Sequence, residues 1–301
     1  MQDSKNIGYG CALLATLIWS GNFIVARGLG DVIPPFTLAT MRWSVATLML
    51  LPFALGAIRK HWALIRKHSK HICLSAFLGV TVFNTFIYIS AHTTDALNMT
   101  LIATTTPAFV VVLSRIFFGE PITGARAMGL VCAVGGIFTL VTRGDLAVLQ
   151  ALDFRVGDLY MLGASILWAA YSIIIKKKPQ DIPPKAYLGV TFTLGLLPLI
   201  PAALIEQSIA PQFSFAPQVV GAFLYIGIGA SLISYFLWTK AVNTIGPTKA
   251  AFIYYSLPAF CGIEAYFFLG EKITWAHGAG FVLILSGILL ATHPRFNKSI
   301  R

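Results

Sequence analysis

Two ionisable side chains, Arg42 and Glu264, interrupt apolar runs in a chain of which only 11% of residues are charged. A charge in such a run is costly to hold, so each requires a partner or a wet cavity. Arg42 carries a guanidinium suited to a carboxylate. Glu264 carries a carboxylate suited to an ammonium group or a proton. We expect the two to approach each other or to face one cavity; a structural salt bridge between their helices accounts for them equally well. At about 1.5 Å per helical residue, each lies roughly 7–9 Å from the membrane midplane.

A second set of candidates is aromatic and polar. Trp19 and Trp168 fall at the centres of apolar runs, whereas tryptophan in membrane proteins favours the interfaces. Asn22 lies one turn from Trp19, and Tyr171 and Ser172 lie one turn from Trp168. Ser165, Trp168 and Ser172 share a face at i, i+3, i+7. Asn84 and its repeat partner Tyr235, with Tyr88, extend the mixture. Such a lining offers ring faces for stacking and for cation–π contact with an ammonium group; plain packing is the alternative. Pro107 and Pro258 stand mid-run, and each removes a helical hydrogen bond, freeing the carbonyls of Ala103 and Tyr254. Hydroxyls precede both prolines, Thr104, Thr105 and Thr106 in one case and Tyr254, Tyr255 and Ser256 in the other. Broken helices at matching positions point to a binding site, and a relieved kink is the simpler reading.

Enzyme chemistry finds no foothold. No HExxH, Gly-x-Ser-x-Gly or Walker A sequence occurs. The four cysteines fall in apolar runs without a CxxC. His61, His68 and His71 lie in a basic stretch that reads as an interfacial amphipathic segment rather than a metal site. No metal and no cofactor is expected.

The elements that must position these residues follow from composition. Of 301 residues 57% are hydrophobic, and the mean hydropathy is +0.78. Soluble domains run about 45–50% apolar and about 25% charged. Breaking the chain at charges and turns gives ten runs, near 8–29, 36–57, 72–91, 96–118, 124–142, 157–176, 186–205, 218–240, 247–269 and 275–293. They lack the alternation of a barrel strand, so they are expected as helices of an all-α polytopic membrane protein. With the N-terminus cytoplasmic, 17 of the 22 Lys and Arg fall on that side. Four (Arg27, Arg143, Arg155 and Lys272) fall opposite, and Arg42 lies within a span. The net charge of +11 is then a topology signal rather than a nucleic-acid footprint, and both termini are expected to be cytoplasmic.

The halves 1–150 and 151–301 echo each other. Trp19 recurs as Trp168 and Ile33-Pro34-Pro35 as Ile182-Pro183-Pro184, 149 residues on. Pro107-Ala108-Phe109 recurs as Pro258-Ala259-Phe260 at an offset of 151. At the same offset Gly119-Glu120 recurs as Gly270-Glu271, and Gly129 and Gly136 as Gly280 and Gly287. Five spans per half force the second copy to enter from the opposite face, an inverted repeat of the kind found in secondary transporters.

These residues resemble the EamA family of the drug/metabolite transporter superfamily, through the paired tryptophans and the Pro-kinked fourth spans running into Gly-Glu-x-Ile-Thr. Trp19-Ser20-Gly21-Asn22-Phe23 is similar to YddG-type exporters of aromatic amino acids. The first copy departs by reading Glu120-Pro121 where the second reads Glu271-Lys272. The resemblance implies a bacterial inner-membrane exporter of small metabolites, amino acids or aromatic cations, working by alternating access and as a monomer. A passive channel-like path, or a carrier of lipid or nucleotide-sugar type in the same superfamily, is the alternative. The expected partners are a small-molecule substrate and the bilayer, without nucleic acid.

Overall fold

The structure is a computed structural model that describes residues 2–30, 33–94, 96–142, 144–145, 147, 155–209, 215–269 and 275–293. Its regular elements are helices, with no strand among the described residues. In chain order they are α1 (Gln2–Gly30), α2 (Pro35–Lys60), α3 (Trp62–Lys67), α4 (Ser69–Ala76), α5 (Phe83–Thr93), α6 (Ala96–Ala103), α7 (Thr106–Phe118) and α8 (Gly124–Thr142). The second half supplies α9 (Val156–Lys176), α10 (Pro184–Leu196), α11 (Leu199–Ile209), α12 (Pro217–Leu224), α13 (Ser234–Ile245), α14 (Pro247–Tyr254), α15 (Leu257–Leu269) and α16 (Trp275–Thr292). Two π-helical segments, Phe77–Val82 and Tyr225–Ile233, join α4 to α5 and α12 to α13.

Among the described residues, eight segments are long and apolar enough to cross a bilayer. They are Pro35–Lys60, Ser69–Thr93, Leu101–Phe118, Gly124–Thr142, Val156–Lys176, Pro184–Ile209, Pro217–Ile245 and Trp275–Thr292. Large apolar side chains cover their outer faces; Phe53 and Leu204 are 76% and 67% exposed. In water such a surface would associate, whereas in lipid it is matched to its solvent. The protein is a multi-pass membrane protein. The expected first and ninth runs fall on α1 and on the α14–α15 pair.

Local chemistry sets the helix ends. Proline opens α2, α7, α10, α12 and α14 in the first turn, where its missing N–H has no intrahelical acceptor to lose. Gly119 closes α7 with φ +67°, and the N–H groups of Gly119 and Glu120 return to Arg115 and Ser114. The start of α2 is capped from far along the chain. Glu206, at the end of α11, accepts from the Phe36 and Thr37 amides (3.1 and 2.7 Å) and from the Thr37 hydroxyl (2.8 Å). A carboxylate at a helix N-terminus satisfies orphan donors and meets the positive end of the dipole.

The most extensive helix pair is α8 against α16. A Cβ at Gly129 would lie 2.6 Å from the Gly287 carbonyl oxygen, and one at Gly136 would lie 2.6 Å from that of Gly280. Only glycine permits the backbones this approach. The crossed order of the contacts means that α8 and α16 run antiparallel. Elsewhere α1 packs on α13, α9 on α5 and α10 on α2.

Candidate functional site

Both mid-run prolines break their helices as expected. The chain leaves helical order at Thr104–Thr105 and at Tyr255–Ser256 and resumes at Thr106 and Leu257. At both breaks the amides fall back to carbonyls three residues earlier: Thr104 and Thr105 to Leu101 and Ile102, Tyr255 and Ser256 to Phe252 and Ile253. The hydroxyls of Thr104, Thr105 and Ser256 bond the same carbonyls at 2.6–2.7 Å. Ser165 reaches the Ile102 carbonyl from α9 at 3.4 Å. Three of the six hydroxyls noted before Pro107 and Pro258 thus serve the broken backbone.

The expected aromatic residues converge. Trp19 and Trp168 meet edge to face with ring centroids 5.1 Å apart. Tyr235 lies 5.6 Å from both Trp168 and Tyr171. Tyr254 closes on Trp19 at 6.0 Å. Rings that the sequence reading did not single out extend the cluster. Trp238 packs at a tilt beside Trp19 and Trp168 at 5.3 and 5.6 Å, and Trp43 meets Tyr235 at 5.1 Å and Phe192 at 4.9 Å. Residue type alone marked the two tryptophans, since Trp238 lies within an apolar run and Trp43 follows Arg42. These rings come from α1, α2, α9, α10, α13 and α14, so both halves of the chain build the centre. Expected repeat mates meet here: Trp19 with Trp168, and Asn84 with Tyr235 through a 3.4 Å hydrogen bond. Ser172 accepts from the Trp238 indole at 3.3 Å and donates to the Trp168 carbonyl at 3.0 Å.

Arg42 and Glu264 do not pair, which corrects the salt-bridge expectation. The Arg42 side chain, 2% exposed, lies beside the aromatic cluster and spends its donors on neutral oxygens. Its Nε donates to Ser231 Oγ (2.6 Å), Nη1 to Asn22 Oδ1 and Tyr88 Oη (3.1 Å each), and Nη2 to the Ala230 carbonyl (3.1 Å). Asn22 and Tyr88 are therefore joined to the site through this guanidinium. The sequence signal missed here was Ser231, because its place depends on the π segment that carries it.

Glu264 sits across α1 instead. Its Oε1 lies 2.8 Å from Ser20 Oγ, and the single Ser20 O–H is shared with the Leu17 carbonyl at 2.5 Å. Glu264 Oε2 is buried without a partner among the described residues. Between the two charged groups, Gly21 leaves room for the Tyr225 ring, whose hydroxyl donates to the Ile18 carbonyl at 2.8 Å. Around α1, then, Asn22 faces the guanidinium, Gly21 faces a phenol, and Ser20 faces the carboxylate.

Elsewhere the polar groups have simpler surroundings. Glu120 pairs with Arg126 at 3.2 Å. No group of His, Cys, Asp and Glu among the described residues could hold a metal. Glu271 lies outside the described residues. A groove of about 290 Å³, lined by Thr37, Thr40, Ala203, Gln207 and Phe215, lies between α2 and α11, away from the ring cluster.

The profile of the EamA-like transporter family matches residues 6–142 and again residues 155–292. An uncharacterized transporter of Archaeoglobus fulgidus is 28% identical over 93% of this chain and 95% of its own length. The uncharacterized transporter YyaM of Bacillus subtilis is 24% identical over 97% of both chains. A chloroplastic WAT1-related protein of Arabidopsis thaliana is 26% identical, covering 93% of this chain and 68% of its own. A solved crystal structure superposes with a TM-score of 0.77 over 97% of both chains at 18% identity, a likeness of fold.

Proposed function

Because the chain belongs to the EamA-like transporter family, we propose that this transporter is a secondary exporter of amino acids, aromatic or neutral, working by alternating access. In this reading α1 and the α14–α15 pair join the eight apolar segments to make ten spans. Residues 1–150 and 151–301 are inverted five-helix copies, and both termini are cytoplasmic in a bacterial inner membrane. The antiparallel glycine contact of α8 with α16 and the meeting of repeat mates support that arrangement.

One observation carries the cargo class. Arg42 is a buried guanidinium held by neutral acceptors alone, so its charge meets no carboxylate partner among the described residues. A buried cation without a counter-ion favours an arriving anion. A substrate carboxylate fits, since it accepts charge-assisted hydrogen bonds from the fork. The adjoining rings of Trp19, Trp43, Trp168 and Tyr235 suit an aromatic or apolar side chain, and the unpartnered Oε2 of Glu264 suits an ammonium group. Asn84, Tyr171, Ser172 and Tyr254 complete the pathway, and the breaks at Thr105–Pro107 and Ser256–Pro258 supply its bends.

The test is counterflow in proteoliposomes loaded with a panel of unlabelled amino acids, aromatic cations and nucleotide sugars. Saturable accumulation of a labelled aromatic or neutral amino acid, abolished by esterifying its carboxylate, is the expected result. Accumulation that is indifferent to the carboxylate, or confined to a nucleotide sugar, would overturn the amino-acid reading. Flux that never saturates would point to a passive path.

A further inference from the structure

Gly79 and Ala230 stand 151 residues apart, the offset that also relates Asn84 to Tyr235, and each lies in a π segment. A π segment changes the hydrogen-bond register of its helix and turns carbonyls toward outside donors. Both carbonyls are bonded by side chains of the opposite half. Ala230 accepts from the Trp19 indole at 2.8 Å and from Arg42 Nη2 at 3.1 Å. Gly79 accepts from the Tyr235 hydroxyl at 2.6 Å. A carbonyl has two lone pairs, so Ala230 carries two outside donors where Gly79 carries one.

The absent donor is at hand. Trp168, the repeat mate of Trp19, is 3% exposed, and its Nε1 has no acceptor among the described residues. Its ring lies 5.6 Å from that of Tyr235, whose hydroxyl holds Gly79, and 5.2 Å from that of Tyr171, which packs against Gly79 itself. The two indoles touch each other, so a shift of one is felt by the other.

We propose that Trp19 and Trp168 form a toggle: in the opposite-facing state the Trp168 indole N–H takes the Gly79 carbonyl, and Trp19 releases that of Ala230. The inference rests on the reading of two inverted halves that alternate. In either state one indole is bonded and the other is orphaned, and each carbonyl keeps a donor, Arg42 on Ala230 and Tyr235 on Gly79. The two states are thereby matched in hydrogen bonding, as a carrier that must visit both requires.

Tryptophan to phenylalanine removes the N–H and keeps a ring. Trp19→Phe weakens the present state and Trp168→Phe the opposite one, each by about fivefold in population for one hydrogen bond. Tyr235→Phe, which strips Gly79 of its present donor, should act in the same direction as Trp19→Phe. The readout is hydrogen–deuterium exchange of the full-length protein in lipid nanodiscs without ligand, taken as the ratio of exchange rates at the start of α2 and the end of α11, beside Glu206, to those at the α7–α8 and α13–α14 junctions, where Gly246 lies beside Glu120. That ratio follows the two populations, whereas a change in overall stability moves both sides together and leaves it fixed. The expected pattern is a shift of about fivefold one way for Trp19→Phe and Tyr235→Phe, and the other way for Trp168→Phe. A ratio unmoved by Trp168→Phe, or moved in the same direction as by Trp19→Phe, overturns the toggle. Counterflow of the wild-type protein is scored separately, so a failed cargo assignment is distinguishable from a failed toggle.

Discussion

Neighbouring glycines on α8 should respond to alanine with opposite signs. At Gly136 an added Cβ would meet the Gly280 carbonyl oxygen at 2.6 Å and the Ile284 amide nitrogen at 2.9 Å, both backbone atoms that cannot rotate away. Restoring an ordinary contact of about 3.4 Å means parting α8 from α16 by about 0.8 Å, which loosens the dispersion contacts along the whole seam. Overpacking of this kind costs about 1–3 kcal/mol. Gly135, one residue earlier, has nothing within 4 Å of its Cβ position. Alanine there only restricts the unfolded chain and favours the helix, a gain of up to about 1 kcal/mol. Thermal unfolding in one detergent should therefore place Gly136→Ala below, and Gly135→Ala level with or above, the unmutated protein. Gly280→Ala should resemble Gly136→Ala, and the double variant should lose less than the two losses added, because the first methyl has already opened the seam that the second would fill. Equal effects at 135 and 136, or strict additivity of 136 with 280, would refute the idea that backbone contact holds this pair together.

Replacing Arg42 with Met should leave thermal stability within about 2 kcal/mol, since the orphaned Asn22 oxygen is offset by removal of a buried charge; half-saturation for a carboxylate substrate should rise about ten- to hundredfold in the same liposomes. Glu206→Ala should lower stability by about 1–2 kcal/mol through loss of the α2 cap, seen by thermal melting, with half-saturation for substrate unaltered. Arg126→Ala, which removes a partly exposed ion pair with Glu120, should change stability by less than about 1 kcal/mol. Pro107→Ala and Pro258→Ala should each slow turnover more than they raise half-saturation in counterflow, because they restore a helical bond at a bend; the opposite split would detach the bends from the transport step.

Hydropathy and proline position carried the architecture because both act locally. A run of apolar residues long enough for a bilayer, and a ring that removes one N–H, have the same meaning in any context. The repeat offsets went further and named side chains that meet across the centre, Trp19 with Trp168 and Asn84 with Tyr235. What stayed hidden depends on register and reach. The π segments leave no mark in composition, yet they turn the Ala230 and Gly79 carbonyls inward and set Ser231 beside Arg42. Glu206 reads as an interfacial charge at the end of an apolar run, while its role is fixed by the amides of Phe36 and Thr37, far away in sequence. Arg42 and Glu264 attracted each other on paper because sequence shows charges and not the neutral oxygens that reach them first.

The ring cluster also gives the protein an optical property. Trp19, Trp168 and Trp238 hold their indoles 5.1–5.6 Å apart, close enough for their excited states to couple. Such a trio should give a strong exciton-split near-ultraviolet dichroism and rapid energy migration that depolarises its emission. Both signals depend on ring separation and angle, so any rearrangement that spreads the cluster would restore polarised emission. The unlabelled chain thus reports on its own centre.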